Sequence, residues 1–137
     1  MTTAMLQNAA VGLCSKDAGM GLAVGFAFGY GGLVQLLVGM WEVRRNNVFG
    51  VVAFGSYGGF WLSLAAYEAL TYGGVFTERD PGAVQAMLCA WGILTAALFV
   101  QTLRMNVALA VLFSSLALLF FFLAASINPA RHTMVRY

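Results

Sequence analysis

Residues 107–127 read VALAVLFSSLALLFFFLAASI, a run of 21 positions with no charge and only the hydroxyls of Ser114, Ser115 and Ser126 for polarity. A bilayer core about 30 Å thick is crossed by a helix of about 20 apolar residues, and this run has that length. Backbone amides and carbonyls in hydrocarbon must be satisfied within their own segment, so the run is predicted to be a helix despite its aromatic and β-branched residues. Three further stretches have the same character. Ala83–Leu103 and Ala18–Met40 carry no charge, and Val48–Tyr72 carries only Glu68, one turn from its end. The expected organisation is an N-terminal segment 1–17, a transmembrane region 18–127 with spans 18–40, 48–72, 83–103 and 107–127, and a tail 128–137.

Composition agrees with this reading. Of 137 residues, 61% belong to the AVILMFWYC set and 9% are charged, against about 25% charged in soluble domains. One core in so short a chain cannot hide that much apolar surface, which excludes a soluble monomer. Disorder needs low hydrophobicity and high net charge, and both are missing. A net charge of +2, with no basic stripe interleaved with aromatics, gives no support to nucleic-acid binding. Met1–Gly12 has no positive charge, so it does not read as a secretory signal.

The segments between spans are short and polar: Glu42-Val43-Arg44-Arg45-Asn46-Asn47, Thr77-Glu78-Arg79-Asp80-Pro81-Gly82 and Arg104-Met105-Asn106. Pro81 suits a helix start. Such short connections make successive helices antiparallel neighbours, so the expected fold is all-α, with four transmembrane helices as two antiparallel hairpins. Charge gives little orientation. Arg44, Arg45 and Arg104 share one side, while Lys16, Arg79, Arg131 and Arg136 share the other. Without the tail, the balance favours the loop around Arg44 as cytoplasmic. Phe28-Gly29-Tyr30-Gly31-Gly32 is echoed by Phe54-Gly55-Ser56-Tyr57-Gly58-Gly59. Transporters are often built from repeats, but glycine and aromatics are also common in membrane helices, so chance stays open.

Gly21, Gly25 and Gly29 recur every four residues, followed by Gly32 and Gly39. Such a stripe lets a second helix approach closely, and helix packing is the role expected of Gly21, Gly25, Gly29 and Gly32. Polar residues inside the spans are more informative. Gln35 lies near the middle of its span, where an unpaired amide is costly. Ser56, Tyr57, Phe60, Ser63 and Tyr67 share one helix face by their spacing, as do Thr95 and Thr102. Spacing alone leaves two readings open: a narrow polar path, or hydroxyls bonded to carbonyls of their own helices. Glu68 is near enough to its span end to reach the interface. Cys14 and Cys89 form no disulfide framework, and Cys89 reads as a small packed hydrophobe. His132 has no metal-ligand partner in register, and no nucleophile–base pair or phosphate loop is present. Neither an enzyme nor a cofactor is expected.

Tyr30-Gly31-Gly32-x-x-Gln35-x-x-x-Gly39-x-x-Glu42 and Asn47-x-Phe49-Gly50-x-x-Ala53-Phe54-x-Ser56-Tyr57-Gly58-x-Phe60-Trp61 stand in one continuous register. Trp91-Gly92-x-x-Thr95 and Thr102-Leu103-Arg104 continue it. Over roughly Gly21 to Ala125 the chain resembles the acetate uptake transporter family. The resemblance implies a six-helix transporter fold in the plasma (inner) membrane, assembled as a homo-oligomer, a hexamer, with a pore in each protomer. It implies small carboxylates as substrates: acetate and related monocarboxylates, with succinate as a further candidate, moved by a channel-like or proton-coupled route. A hydrophobic constriction of Phe, Tyr and Leu narrows such a pore, and its Tyr and Leu carry over to Tyr57 and Leu116. Gln35, Ser56 and Thr95 are the candidates for replacing substrate water beside that ring.

The family's first helix opens with an Asn-Pro-Ala-Pro-Leu-Gly-Leu signature and supplies the constriction Phe. Here Gln7-Asn8-Ala9-Ala10-Val11-Gly12-Leu13 lacks both prolines and reads as a remnant. The expectation is therefore a chain without the first and sixth helices, in which no residue is assigned to the Phe. A truncated remnant that does not transport is the alternative function. A four-helix multidrug exporter is disfavoured, because the first span holds no carboxylate.

Overall fold

A computed structural model describes residues 2, 16–76 and 80–127, with side chains of 16–18 excepted. The readings placed on Gln7–Leu13, Cys14, Arg79, His132 and the tail from 128 lie outside the described residues. The chain divides into two compact units, Met1–Glu78 and Arg79–Tyr137. Every regular element among the described residues is helical.

From Lys16 the described residues of the first unit form one continuous helix in three parts: α1 (Lys16–Phe26), a π-helical segment (Ala27–Val34) and α2 (Gln35–Arg44). Phe26 and Val34, at the two joints, both keep right-handed helical dihedrals. Hydrogen bonding therefore continues past Met40, where the uncharged run ends, to Arg44. There the helix stops in a Schellman turn. Asn47 N–H donates to the Glu42 carbonyl and Asn46 N–H to the Val43 carbonyl, each at 3.1 Å. Asn46 takes a φ of 53°, a left-handed conformation that asparagine tolerates better than most residues.

Helix α3 (Val48–Tyr72) returns antiparallel to α2. Its first turn is capped by Asn47, whose Oδ1 accepts from Gly50 N–H at 3.1 Å. Its end repeats the Schellman pattern, with Gly74 N–H on the Thr71 carbonyl at 3.2 Å and Val75 N–H on the Leu70 carbonyl at 3.0 Å. Gly74 sits at φ 73°, where a Cβ would be strained.

Helices in lipid gain little from burying apolar surface against each other, since lipid tails are as apolar as leucine; close packing must hold them. Glycine supplies it here. A Cβ on Gly32 would fall 2.5 Å from Leu62 Cδ2, and one on Gly31 would fall 2.8 Å from Trp61 Cγ. One on Gly39 would meet the Gly55 backbone nitrogen at 3.1 Å, and one on Gly58 would meet Leu36 Cγ at 2.8 Å. The stripe read from the sequence therefore divides. Gly32 packs against α3, whereas Cβ positions at Gly21, Gly25 and Gly29 meet nothing within 4 Å among the described residues. The π segment is the physical reason. Its i→i+5 bonds place more residues in each turn than the 3.6 of an α-helix, so a face counted in fours drifts before it reaches α2.

The second unit is a hairpin of α4 (Pro81–Thr102) and α5 (Val107–Ser126). Pro81 is the first residue of α4, and Asp80 caps it by accepting from Gly82 N–H at 2.9 Å. Asn106 caps α5, accepting from Ala108 N–H at 2.8 Å and Leu109 N–H at 3.2 Å. Leu88, Gly92, Thr95 and Thr102 form the buried stripe of α4, and Phe113, Ala117, Phe120 and Ala124 that of α5. Both follow the three–four spacing of one helix face. Gly92 receives the ring of Phe121, whose Cε1 lies 3.0 Å from the Cβ position. At the far end, Gln85 Nε2 donates to the Ala124 carbonyl at 3.0 Å, satisfying one of the carbonyls that a helix end leaves open.

Among the described residues four helical stretches, Gly19–Arg44, Val48–Tyr72, Pro81–Thr102 and Val107–Ser126, are long and apolar enough to cross a membrane, with mean hydropathies of 1.7, 1.5, 1.9 and 2.7. Leu22, Phe28, Met40, Trp41, Val111 and Phe122 are among the large apolar side chains left exposed. At the end of α2 the Arg44 guanidinium lies 5.5 Å from the Trp41 ring centroid. An exposed Trp with a cation over its face suits the headgroup level.

Candidate functional site

The site residues read from the sequence fall in different surroundings. Gln35 is the first residue of α2, directly after the π segment, and is half-buried. Its side chain lines an open cleft of about 340 Å³ with Tyr30, Val34, Val38, Phe54 and Trp61. Among the described residues its carboxamide makes no hydrogen bond. Two N–H donors and one carbonyl acceptor thus belong to a space whose other walls are aromatic and aliphatic groups together with Thr2 and Gly31. Among the described residues, no acidic side chain lines this cleft.

Tyr57 is 7% exposed and lies on the buried stripe of α3 with Gly50, Ala53 and Phe60. Ser56, beside it, is half-buried, while Ser63 is exposed. The face drawn through Ser56, Tyr57, Phe60, Ser63 and Tyr67 therefore runs from the buried side of α3 to its outer side. Leu116 is half-buried and flanks the Phe113–Ala117–Phe120 stripe of α5.

Thr95 and Thr102 are both 0% exposed. Thr95 Oγ1 donates to the Trp91 carbonyl at 2.7 Å, and Thr102 Oγ1 donates to the Phe99 carbonyl at 2.6 Å. Ser114 and Ser115 bond back to Val111 and Leu112 in the same way, at 3.0 and 2.9 Å. Of the two readings left open by spacing, these proton assignments follow the intrahelical one. A hydroxyl that donates within its helix still presents acceptor lone pairs.

One cluster escaped the sequence reading. Glu42, 8% exposed, sits where α2 ends and α3 begins. Asn47 Nδ2 donates to its Oε2, and Arg45 Nη1 lies 3.7 Å from its Oε1. A Cβ on Gly50 would come within 2.9 Å of that same Oε2, so the carboxylate rests on the first turn of α3. There the unpaired N–H groups of the helix start favour negative charge. The available signal was Asn47, a preferred N-cap type, directly ahead of an apolar run.

Membrane-length helices, outward-facing aromatic and aliphatic side chains and a glycine-packed hairpin define a multi-span helical membrane protein. Residues 8–136 match the GPR1/FUN34/yaaH family, and the chain belongs to it. The succinate-acetate/proton symporter SatP of Escherichia coli is 37% identical over 124 residues, which are 90% of this chain and 64% of that protein. Acetate permease A of Emericella nidulans is 42% identical over 113 residues, 74% of this chain and 37% of the permease. An uncharacterised protein of Methanothermobacter thermautotrophicus is 41% identical over 132 residues, 91% of this chain and 63% of its own length. The chain thus spans less than two thirds of each of these relatives. The structure of the bacterial acetate channel SatP superposes with a TM-score of 0.85 at 34% identity, covering 95% of this chain and 72% of that one. SatP and the permease carry the names of transporters or channels, not of enzymes.

Proposed function

We propose that this chain forms a path across the plasma membrane for acetate and related small monocarboxylates, with succinate as a further candidate. The observation that carries the reading is the likeness to the bacterial acetate channel, at a TM-score of 0.85 and 34% identity over 95% of the chain. The named relatives add a proton symporter of succinate and acetate and an acetate permease.

In this proposal Tyr57 and Leu116, assigned by the family resemblance alone, supply the apolar narrowing. A compact carboxylate passes it after most of its water is removed, and polar groups beside the narrowing replace part of that hydration. Gln35 offers N–H donors to a carboxylate oxygen, and its cleft lacks any acid, among the described residues, that would repel an anion. Thr95, a buried hydroxyl that donates to the Trp91 carbonyl, is the further candidate beside the narrowing. Ser56 donates or accepts as its rotor turns. The same proposal includes assembly as a homo-oligomer, a hexamer by family resemblance. The glycines left open on α1 and the exposed Phe28 and Tyr30 offer surface for it.

The test is uptake of labelled acetate, propionate and succinate into proteoliposomes, at an alkaline pH where the anion crosses bare lipid slowly. Saturable acetate uptake above that of protein-free vesicles is expected. A dependence on an imposed proton gradient separates symport from channel-like flow. Acetate flux equal to that of protein-free vesicles refutes the proposal.

A further inference from the structure

A concave feature of the second unit lies at the α4–α5 turn, and none of its lining residues is assigned to the carboxylate path. It is an open groove of about 530 Å³. At its upper end stand Arg104 and Asn106, and its walls descend through Phe99, Val107 and Val111 to Ser114. From Val107 to Ser114 a helix descends about 10 Å at 1.5 Å per residue. Arg104 and Asn106 belong to the turn joining two membrane-length helices, so the groove starts at headgroup level and runs into the hydrocarbon. Its polarity follows that depth. The guanidinium and carboxamide are at the mouth, and below them the walls are apolar except for Thr102 and Ser114, whose hydroxyls are turned back on the Phe99 and Val111 carbonyls. Val107 and Val111 are 81% and 62% exposed.

The charge at the mouth is uncompensated. None of the ten lining residues is acidic, and Arg104 has no carboxylate partner among the described residues. The side-chain oxygen of Asn106 is committed to the Ala108 and Leu109 amides, which leaves its Nδ2 hydrogens as donors. The start of the 20-residue α5 adds partial positive charge at the same level. A second copy of this chain is a poor match for this mouth. The turns that share its side by the order of the spans carry Arg44, Arg45 and Arg104, and the acid among them, Glu42, is engaged by Arg45 and Asn47.

We infer that this groove binds an anionic phospholipid, with the phosphate at Arg104 and the Asn106 amide and an acyl chain laid between α4 and α5. An anionic headgroup supplies the charge the mouth lacks, and a lipid tail covers the apolar walls without asking the backbone for hydrogen bonds. The site is independent of what the protein transports.

Native mass spectrometry of the purified protein, titrated with phosphatidylglycerol or phosphatidylcholine, tests it. Wild type retains phosphatidylglycerol in preference to phosphatidylcholine. Arg104→Gln weakens phosphatidylglycerol retention about fivefold, the factor for one interfacial cation. Arg104→Lys restores retention, and Val111→Trp, which fills the tail groove, lowers retention of both lipids. Unchanged phosphatidylglycerol binding by Arg104→Gln overturns the inference. An equal loss in Arg44→Gln also overturns it, because surface charge alone then accounts for retention. So does a change in subunit number on Arg104→Gln with lipid retention intact, which assigns the groove to a second copy.

Discussion

Replacing Gly58 by alanine tests whether close backbone approach holds the first hairpin together. A Cβ at Gly58 would lie 2.8 Å from Leu36 Cγ, 2.9 Å from the Leu36 backbone nitrogen and 3.0 Å from Leu36 Cδ2. The leucine tip can swing away, but the backbone nitrogen belongs to α2 and moves only with the helix. Restoring ordinary van der Waals spacing separates α2 from α3 by roughly 0.5–1 Å at that level. Overpacking of this kind costs about 1–3 kcal/mol, and lipid offers no hydrophobic return for the loosened interface. Gly59 is the control, because a Cβ there meets nothing within 4 Å. Both substitutions collect the same gain of about 1 kcal/mol for alanine over glycine in a helix, so the difference between them isolates packing. Reversible unfolding in mixed micelles, followed by helical circular dichroism, is expected to place Gly58→Ala about 1–3 kcal/mol below Gly59→Ala. Equal stability of the two variants refutes close approach as the force holding this hairpin.

Three further outcomes follow from particular side chains. Glu42→Ala removes the acceptor for Asn47 Nδ2 and the ion-pair partner of Arg45, and is expected to cost about 1–3 kcal/mol in the same unfolding assay. Glu42→Gln, which keeps an acceptor oxygen, loses less. Asn106→Ala leaves the Ala108 and Leu109 amides without their cap, and is expected to speed their hydrogen exchange by an amount equivalent to about 1 kcal/mol. Gln35→Leu is expected to lower carboxylate flux more than it lowers protein yield; an equal fall in both makes Gln35 a structural residue only.

The helices were legible in the sequence because their cause is local. Uninterrupted apolar runs of spanning length, separated by a few polar residues, leave a membrane chain little choice. The shared face of Thr95 and Thr102 was legible for the same reason, as seven residues complete two turns and both positions are buried. Glycine packing was half legible. Counting in fours assumes an α-helix throughout, and nothing local in Ala27–Val34 announces i→i+5 bonding, which turns Gly32 toward α3 while a Cβ at Gly29 meets nothing within 4 Å among the described residues. Partners remote in sequence were beyond reach: Gln85 finds the Ala124 carbonyl 39 residues away. The hydroxyls of Thr95, Ser114 and Ser115 had two possible partners by type, and their own carbonyls stand in bonding position. The resemblance that suggested acetate rests on the Gln35, Tyr57 and Thr95 motifs, and family membership over residues 8–136 agrees with it.

The central claim of the proposal, carried by the family resemblance, is that the Tyr57 phenol and the Leu116 side chain both bound the route that carboxylates take. It is tested most directly by acetate flux through wild type, Tyr57→Ala and Leu116→Ala reconstituted at equal protein density. Flux that changes in both variants, with discrimination between acetate and a bulkier carboxylate reduced, is the predicted result. Acetate flux and discrimination unaltered in both variants contradict the claim.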